Sequence, residues 1–175
     1  VEAGEPTRIT TVDVTPSVMQ VLGARAALGR TFVPDDDRGD GQAVVLSHDF
    51  WVRRFGANPG IVGRRLTIND APYTVLGVMP AAFEFPSAGV DIWRPVTVDH
   101  IDADERRSHN WYVVARLAPT TNLDAANAEM RAIAGGLARE FAQYMKGFGT
   151  NVVSMADDAV ASVRRLLLIL LAGAT

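Results

Sequence analysis

The sequence predicts an α+β domain built on a mixed or antiparallel sheet, and three features carry that prediction. Arg64 to Met79 reads as a β-hairpin, short apolar strands alternate with capped helices, and a long stretch from Leu123 to Tyr144 repeats apolar residues every three or four positions. The elements follow as strand, helix, strand, helix, hairpin, strand, strand, helix, strand. A single hairpin among longer crossovers excludes a purely parallel doubly wound sheet.

Ile9 to Val14 alternates imperfectly and predicts the first strand. Thr15-Pro16 then opens a helix, with Thr15 as its cap and Pro16 at the first helical position, where no N–H is required. Val18, Met19 and Leu22 supply its apolar side, and Gly23 stops it. Leu28 to Phe32 reads as a loop leading to the acidic run Asp35-Asp36-Asp37. Ala43 to Leu46 predicts a short buried strand. Ser47 caps the next helix, Asp49 sits in its first turn where the helix dipole favours an anion, and Gly56 closes it. Asn58-Pro59-Gly60 is turn chemistry.

In the hairpin, Leu66 and Ile68 alternate with Arg65 and Thr67, Asn69-Asp70 offers the positive φ a tight turn needs, and Tyr73, Val75 and Leu76 return the chain. Pro80 ends the return strand. Asp91 to Val96 predicts an edge strand, because Pro95 cannot donate to a ladder on both sides. Trp111 to Leu117 predicts another strand. Thr121 caps the longest helix with Asp124 in the capping-box position, and Leu123, Ala126, Met130, Ile133, Leu137, Phe141 and Tyr144 predict one buried stripe. Gly135-Gly136 interrupts that helix at about 1 kcal/mol per glycine, which predicts close packing or a bend. Gly147 ends it, and Asn151 to Met155 is expected as the final strand.

The composition excludes several classes of function. A net charge of -3, with Lys146 the only lysine, is not that of a nucleic-acid binder. Cysteine is absent, so there is neither a disulfide framework nor a thiolate metal site. Val1 to Thr11 is mixed and polar, without the apolar stretch of a signal peptide. From Val163 the chain turns apolar, and Leu166 to Leu171 is apolar on every face, which suits a water-facing helix badly. The run is roughly half of the ~20 residues a membrane span needs. We expect 163–175 to be the start of a transmembrane helix with Arg164 and Arg165 near the interface. A C-terminal amphipathic or core helix is the alternative.

Candidate chemistry is sparse. His48, His100 and His109 are the histidines; His100 and His109 lie near Asp99, Asp102 and Asp104, but at no spacing that matches a metal-ligand pattern. Asp35 to Asp37 lacks the glycine turn and distal glutamate of a calcium loop. Ser47-His48-Asp49 sets three catalytic residue types side by side, yet neighbours on a helix point in different directions and no nucleophile elbow accompanies them. Neither G-x-x-x-x-G-K-[ST] nor G-x-G-x-x-G occurs, so no nucleotide site is expected. Trp51, Trp93 and Trp111 are expected in the core in preference to a ligand groove. We therefore expect no catalytic, metal or cofactor-binding residue and no enzyme activity.

The ordered motifs do resemble a family. Val14-Thr15-Pro16, Val21-Leu22-Gly23, Leu28-Gly29-Arg30-Thr31-Phe32, Val44 to Trp51 with Arg54-Phe55-Gly56, Ile61-Val62-Gly63-Arg64, Leu66 to Asn69 with Tyr73 to Pro80, and Asp91-Ile92-Trp93 with Pro95 are similar to the MacB-like periplasmic core domain of FtsX-like ABC permeases. Val114 to Leu117 and the helix after it extend the likeness. The resemblance implies a porter-like mixed sheet-and-helix lobe with a smaller inserted β-rich lobe over about 43–96, the whole extracytoplasmic domain being 1–162. It implies a position between membrane helices of an inner-membrane permease, facing the periplasm. It further implies a dimer partner, a separate cytoplasmic ATPase, and a periplasmic adaptor or substrate. No catalytic residue carries over. Asn69-Asp70 stands where the family often has Asn-Gly, which leaves the turn type open. Two rival readings are a soluble peptide- or lipid-binding module with a groove around Trp93 and Trp111, and a metal-dependent hydrolase using His100 and His109.

Overall fold

The computed structural model describes residues 7–37, 42–96, 111–145 and 147–160. The described residues form two compact units, the first holding those up to 96 together with 111–114, the second those from Ala115 to 160. The expected sites at Asp99, His100, Asp102, Asp104 and His109, and the apolar run 163–175, lie outside the described residues.

The first unit is a six-stranded mixed sheet. Its strands are β1 (Thr11–Val14), β2 (Leu28–Gly29), β3 (Ala43–Leu46), β4 (Arg65–Ile68), β5 (Ala71–Val78) and β6 (Ile92–Pro95). They run in the order β1-β6-β3-β5-β2, with β4 also bonded to β5. The β1/β6 and β3/β5 pairs are parallel, and the β3/β6, β2/β5 and β4/β5 pairs antiparallel. The expected mixed sheet is present. The inserted lobe expected over about 43–96 is not shown: the four strands in that range share one sheet with β1 and β2.

β3 lies inside the sheet and all four of its residues are buried, so its side chains supply both faces. Val44 and Leu46 join Phe50, Ile61, Ile68, Val75, Val78 and Ile92 on one side; Val45 joins Val14, Met19, Phe32, Met79, Val90 and Trp93 on the other. The short helix α1 (Val18–Val21) covers the second face through Met19, and α2 (His48–Phe55) covers the first through Phe50.

A register shift between Val44 and Val45 adds one residue to β5 at Leu76. One extra residue reverses the alternation beyond it. This explains why Val75 and Val78, three apart, reach the same core while Leu76 packs into the other. The Asn69-Asp70 turn has φ of 48° and 65°, the two positive values of a type I′ hairpin turn, which resolves the turn type left open by the missing glycine.

Several expectations are corrected. α1 begins at Val18 and not at Pro16, because a turn with the Val18 N–H on the Thr15 carbonyl (3.0 Å) precedes it, and the Thr15 hydroxyl lies 3.3 Å from the Ser17 hydroxyl without capping an amide. Leu28–Gly29, expected as loop, pairs with β5. β6 is not an edge strand but lies between β1 and β3. Its proline is accommodated because β3 pairs only with Ile92 and Trp93, so Pro95 lies past the end of that ladder, while the next amide, Val96, bonds Val14 at 2.9 Å on the β1 side.

The second unit carries α3 (Leu123–Glu140) and the short α4 (Ala142–Met145), with a further helical stretch at 155–160. The α3 cap is Asn122 and not Thr121: its side chain accepts the Ala125 N–H at 2.8 Å. Trp111 to Leu117 and Asn151 to Met155, expected as strands, belong to no ladder among the described residues. Tyr112 and Val113 are 95% and 90% exposed. Val152 is instead clasped by one side chain, Asn127, which donates to its carbonyl and accepts from its N–H, each at 2.8 Å. That contact satisfies the strand-like backbone at one residue without a partner strand.

Candidate functional site

At the C-terminal end of β3 the chain turns into α2, and this junction holds the one adjacent serine–histidine–aspartate run in the sequence. Ser47 has extended backbone and its hydroxyl accepts the Phe50 N–H at 3.2 Å, so it closes the helix start. His48 contacts the Asp49 carboxylate at 3.6 Å and the Trp51 ring edge-on at 5.7 Å. Both acidic and imidazole groups are open to solvent, and the hydroxyl is already engaged by the backbone. Nothing here activates a nucleophile.

Beside this turn lies a shallow cleft of about 160 Å³, walled by Ser47, His48, Asp49, Arg53, Glu84 and Asp91 among others. Small-molecule sites generally run from about 300 to 1,000 Å³ and are mostly apolar. This one is small, and its wall mixes the charged Asp49, Arg53, Glu84 and Asp91 with apolar Phe83, Val90 and Trp93. Its buried carboxylate, Asp91, is engaged structurally, since one oxygen accepts the Thr10 N–H at 2.9 Å and the other the Arg53 guanidinium at 2.7 Å. The sequence gives no sign of this junction, because its partners are 81 and 38 residues away and no local pattern couples them.

The acidic run folds as a 3-10 turn, Pro34–Asp37. Asp36 is held by Arg30 through two bonds of 2.6 and 2.9 Å and by the Val33 N–H at 2.7 Å. The Arg30 hydrogen bonds hold the Asp36 carboxyl below its ordinary pKa, with the Val33 amide adding to the effect; the same pairing raises Arg30. A carboxylate so occupied is not left for a cation, and among the described residues no cluster of three His, Asp or Glu side chains is arranged for a metal.

The direction of this shift sets a pH dependence. Because the folded state lowers the Asp36 pKa, its stabilisation is complete above the unfolded value near 4 and is lost as pH falls through the lower folded value. The pair is surface-lying, with Arg30 49% exposed, so solvent screening limits it to about 0.5–1 kcal/mol. Asp36→Asn should melt a few degrees below the parent at pH 7, and the gap should close in acid. Thermal unfolding at stepped pH measures this; a gap that stays constant down to pH 2 contradicts it.

Trp93 is buried in the second core, donating its indole N–H to the Phe85 carbonyl at 2.9 Å, and Trp51 packs against the first core with its N–H on the Asn58 carbonyl at 2.9 Å. Trp93 is a core residue whose buried ring also borders the cleft beside Ser47, and Trp51 is half-buried at the edge of its core. Trp111 is 45% exposed. Arg94 forms two bonds to Asp13, at 2.7 and 2.9 Å, and reaches the Tyr73 hydroxyl at 3.4 Å; the Asp13 bonds raise its pKa.

The described residues also expose apolar surface on α3. The α3 stripe is not buried: Met130, Ile133 and Leu137 are 39%, 49% and 40% exposed, and Ala134 is the buried residue of the helix. Among the described residues of its unit there is no strand to lie against that side. Gly135 and Gly136 have open space where a Cβ would stand, so among the described residues no close packing accounts for them.

Comparison with known proteins gives a consistent picture. Residues 1–133 match the MacB-like periplasmic core domain family. The chain is 34% identical over 88 residues to the probable syringafactin export ATP-binding/permease protein SyfD of Pseudomonas syringae, and 35% identical over 81 residues to the macrolide export ATP-binding/permease protein MacB of Burkholderia thailandensis. Those matches take in 49% and 45% of this chain but 14% and 12% of the relatives, so the chain corresponds to a small part of each. In fold it is similar to the periplasmic region of MacB from Actinobacillus actinomycetemcomitans, with a TM-score of 0.51 at 15% identity over 80% of this chain and 66% of that one. It is also similar to the extracellular domain of the noncanonic ABC-type transporter YknZ from Gram-positive bacteria, with a TM-score of 0.52 at 18% identity over 78% and 66%.

Proposed function

The chain belongs to the family of MacB-like periplasmic core domains, and from that premise we propose that it is the extracytoplasmic domain of an ABC-type export permease. Residues 1–162 form this domain and 163–175 begin a membrane helix. The domain works mechanically: it couples movement of membrane helices to a periplasmic partner or substrate, as one half of a permease dimer driven by a separate cytoplasmic ATPase. Its site is the inner membrane, with the domain on the outer side.

The single observation that carries this reading is the family match over 133 of 175 residues. Two physical findings support it. Among the described residues no His, Asp or Glu side chains cluster for a metal, and the cleft described above is small for a cargo site. An exposed apolar helix face is, by contrast, what a partner-binding module presents. Among the described residues no helix is long and apolar enough to cross a membrane, so the anchoring segment has to be tested on the full-length protein.

The test is topological. This chain has no cysteine, so a single one placed at the exposed Arg54 gives a site-specific label, any others elsewhere in the full-length protein being replaced by serine. In intact spheroplasts it should react with a membrane-impermeant maleimide without lysis. Labelling only after lysis would overturn the reading.

A further inference from the structure

We infer that Asp91 is a latch that passes a pull on the N-terminal segment into the sheet and α2, so that β1 moves with the unit and does not peel from it. The inference rests on the permease reading in one respect: a pull arises there only if a moving membrane helix precedes the domain.

β1 is a four-residue strand at the end of the sheet order, held by hydrogen bonds to β6 alone. Short edge strands are the weakest parts of a sheet and the first to open. A pull from the N-terminal side enters β1 through Thr10. At that residue the bonds are doubled: its carbonyl accepts from the Asp91 and Ile92 amides at 2.9 and 3.2 Å, while its own N–H donates to the Asp91 carboxylate at 2.9 Å.

The same carboxylate is 12% exposed and takes the Arg53 guanidinium of the last turn of α2 at 2.7 Å. The Asp91 carbonyl accepts the N–H of Ser47, the residue that caps the start of α2, at 2.8 Å. One residue thus joins the entering chain to both ends of one helix and, through Ser47, to the buried strand β3. Charge-assisted bonds of this kind are roughly twice as strong as neutral ones. The other ion pair on β1, Asp13 with Arg94, joins β1 to β6, with a longer contact of 3.4 Å from Arg94 to Tyr73 on β5, and does not reach α2.

Asparagine is the discriminating replacement. A carboxylate accepts on both oxygens, whereas a carboxamide accepts on one and donates on the other, so Asp91→Asn must set a donor against either the Thr10 N–H or the Arg53 guanidinium. The experiment pulls this chain in optical tweezers between its N-terminus and a cysteine at the exposed Val52 on α2, a unique attachment point in a chain without cysteine. At one fixed force, β1 should release about tenfold faster in Asp91→Asn than in the parent, with Arg53→Gln intermediate. A separate chain carrying Thr10→Cys with Asp91→Cys, pulled through peptide-ligated handles, should lose the release step when oxidised and recover it on reduction.

An unchanged release time in Asp91→Asn, with thermal unfolding showing the variant folded, overturns the latch. If that variant does not fold, an unchanged time in Arg53→Gln does so instead. Failure of the permease reading shows separately, as cytoplasmic labelling of the full-length protein, and leaves the pulling result standing.

Discussion

Gly77→Ala is expected to destabilise the first unit by about 3 kcal/mol or more, at the upper end of what overpacking usually costs. A Cβ at Gly77 would stand 2.5 Å from the Arg30 carbonyl oxygen, 2.6 Å from that of Leu28 and 2.8 Å from the Arg30 nitrogen. These are backbone atoms on the facing strand and cannot rotate aside as a side-chain end would. Gly77 lies directly opposite Gly29, whose own Cβ would meet the Leu76 carbonyl oxygen at 2.3 Å and whose φ of 70° is left-handed. The two glycines together let β2 close on the bulged part of β5. Adding a methyl group forces β2 off, breaking the bonds from Ala27 and Arg30 to Val78 and Leu76. Urea unfolding of this chain measures the loss; a change under 1 kcal/mol would mean that β2 is not held there.

A second large effect is expected at Trp93. It is the largest fully buried side chain among the described residues, and it shares one core with Val14, Met19 and Val45. Phe83 meets its ring edge-on at 5.3 Å, and the Phe85 carbonyl takes its N–H. Truncating a buried aromatic to alanine costs about 3–5 kcal/mol, against a whole stability of about 5–15 for an ordinary domain. Trp93→Ala should therefore leave little folded protein at 37 °C, while Trp93→Phe keeps a ring against Phe83 and should recover more than half of the loss. Far-UV circular dichroism through a thermal scan distinguishes them. Equal melting of the two variants would show that ring packing is not what Trp93 contributes.

The parts of the fold legible in the sequence are those set by neighbours in the chain. Ser47 and Gly56 bracket α2 as their chemistry requires, and Asn69-Asp70 makes the hairpin turn without glycine because both residue types tolerate positive φ. Strand order is not legible. Pro95 argues for an edge, yet β6 is central, because the partner strand simply stops short of the proline. The bulge at Leu76 is equally hidden: an alternating run looks the same whether or not one residue is skipped.

The second unit shows the other limit. Apolar spacing along α3 suggests burial, but spacing states only that the residues share a side; Met130, Ile133 and Leu137 share it and remain exposed. Thr121 and Asp124 match a capping box, and Asn122, an equally good cap one residue later, takes the role. For the candidate site, the absence of nucleotide motifs is legible, since those motifs are contiguous. The Asp91 junction is not, because its members meet only after the sheet is assembled.

The partnership of β1 with β6 has a consequence for biosynthesis. Thr11 faces Ile92 across the parallel ladder, so the first strand of this sheet to be synthesised waits for one made some eighty residues later, as the Thr10–Asp91 separation of 81 states. Until then β3 and the hairpin can collapse around β5, but the slot that β6 fills stays open and Trp93 is missing from the core. Contacts so distant along the chain slow folding and leave apolar surface uncovered meanwhile. A nascent chain halted before Ile92 should therefore be bound by chaperones, and one extended past Val96 and clear of the exit tunnel should be released from them.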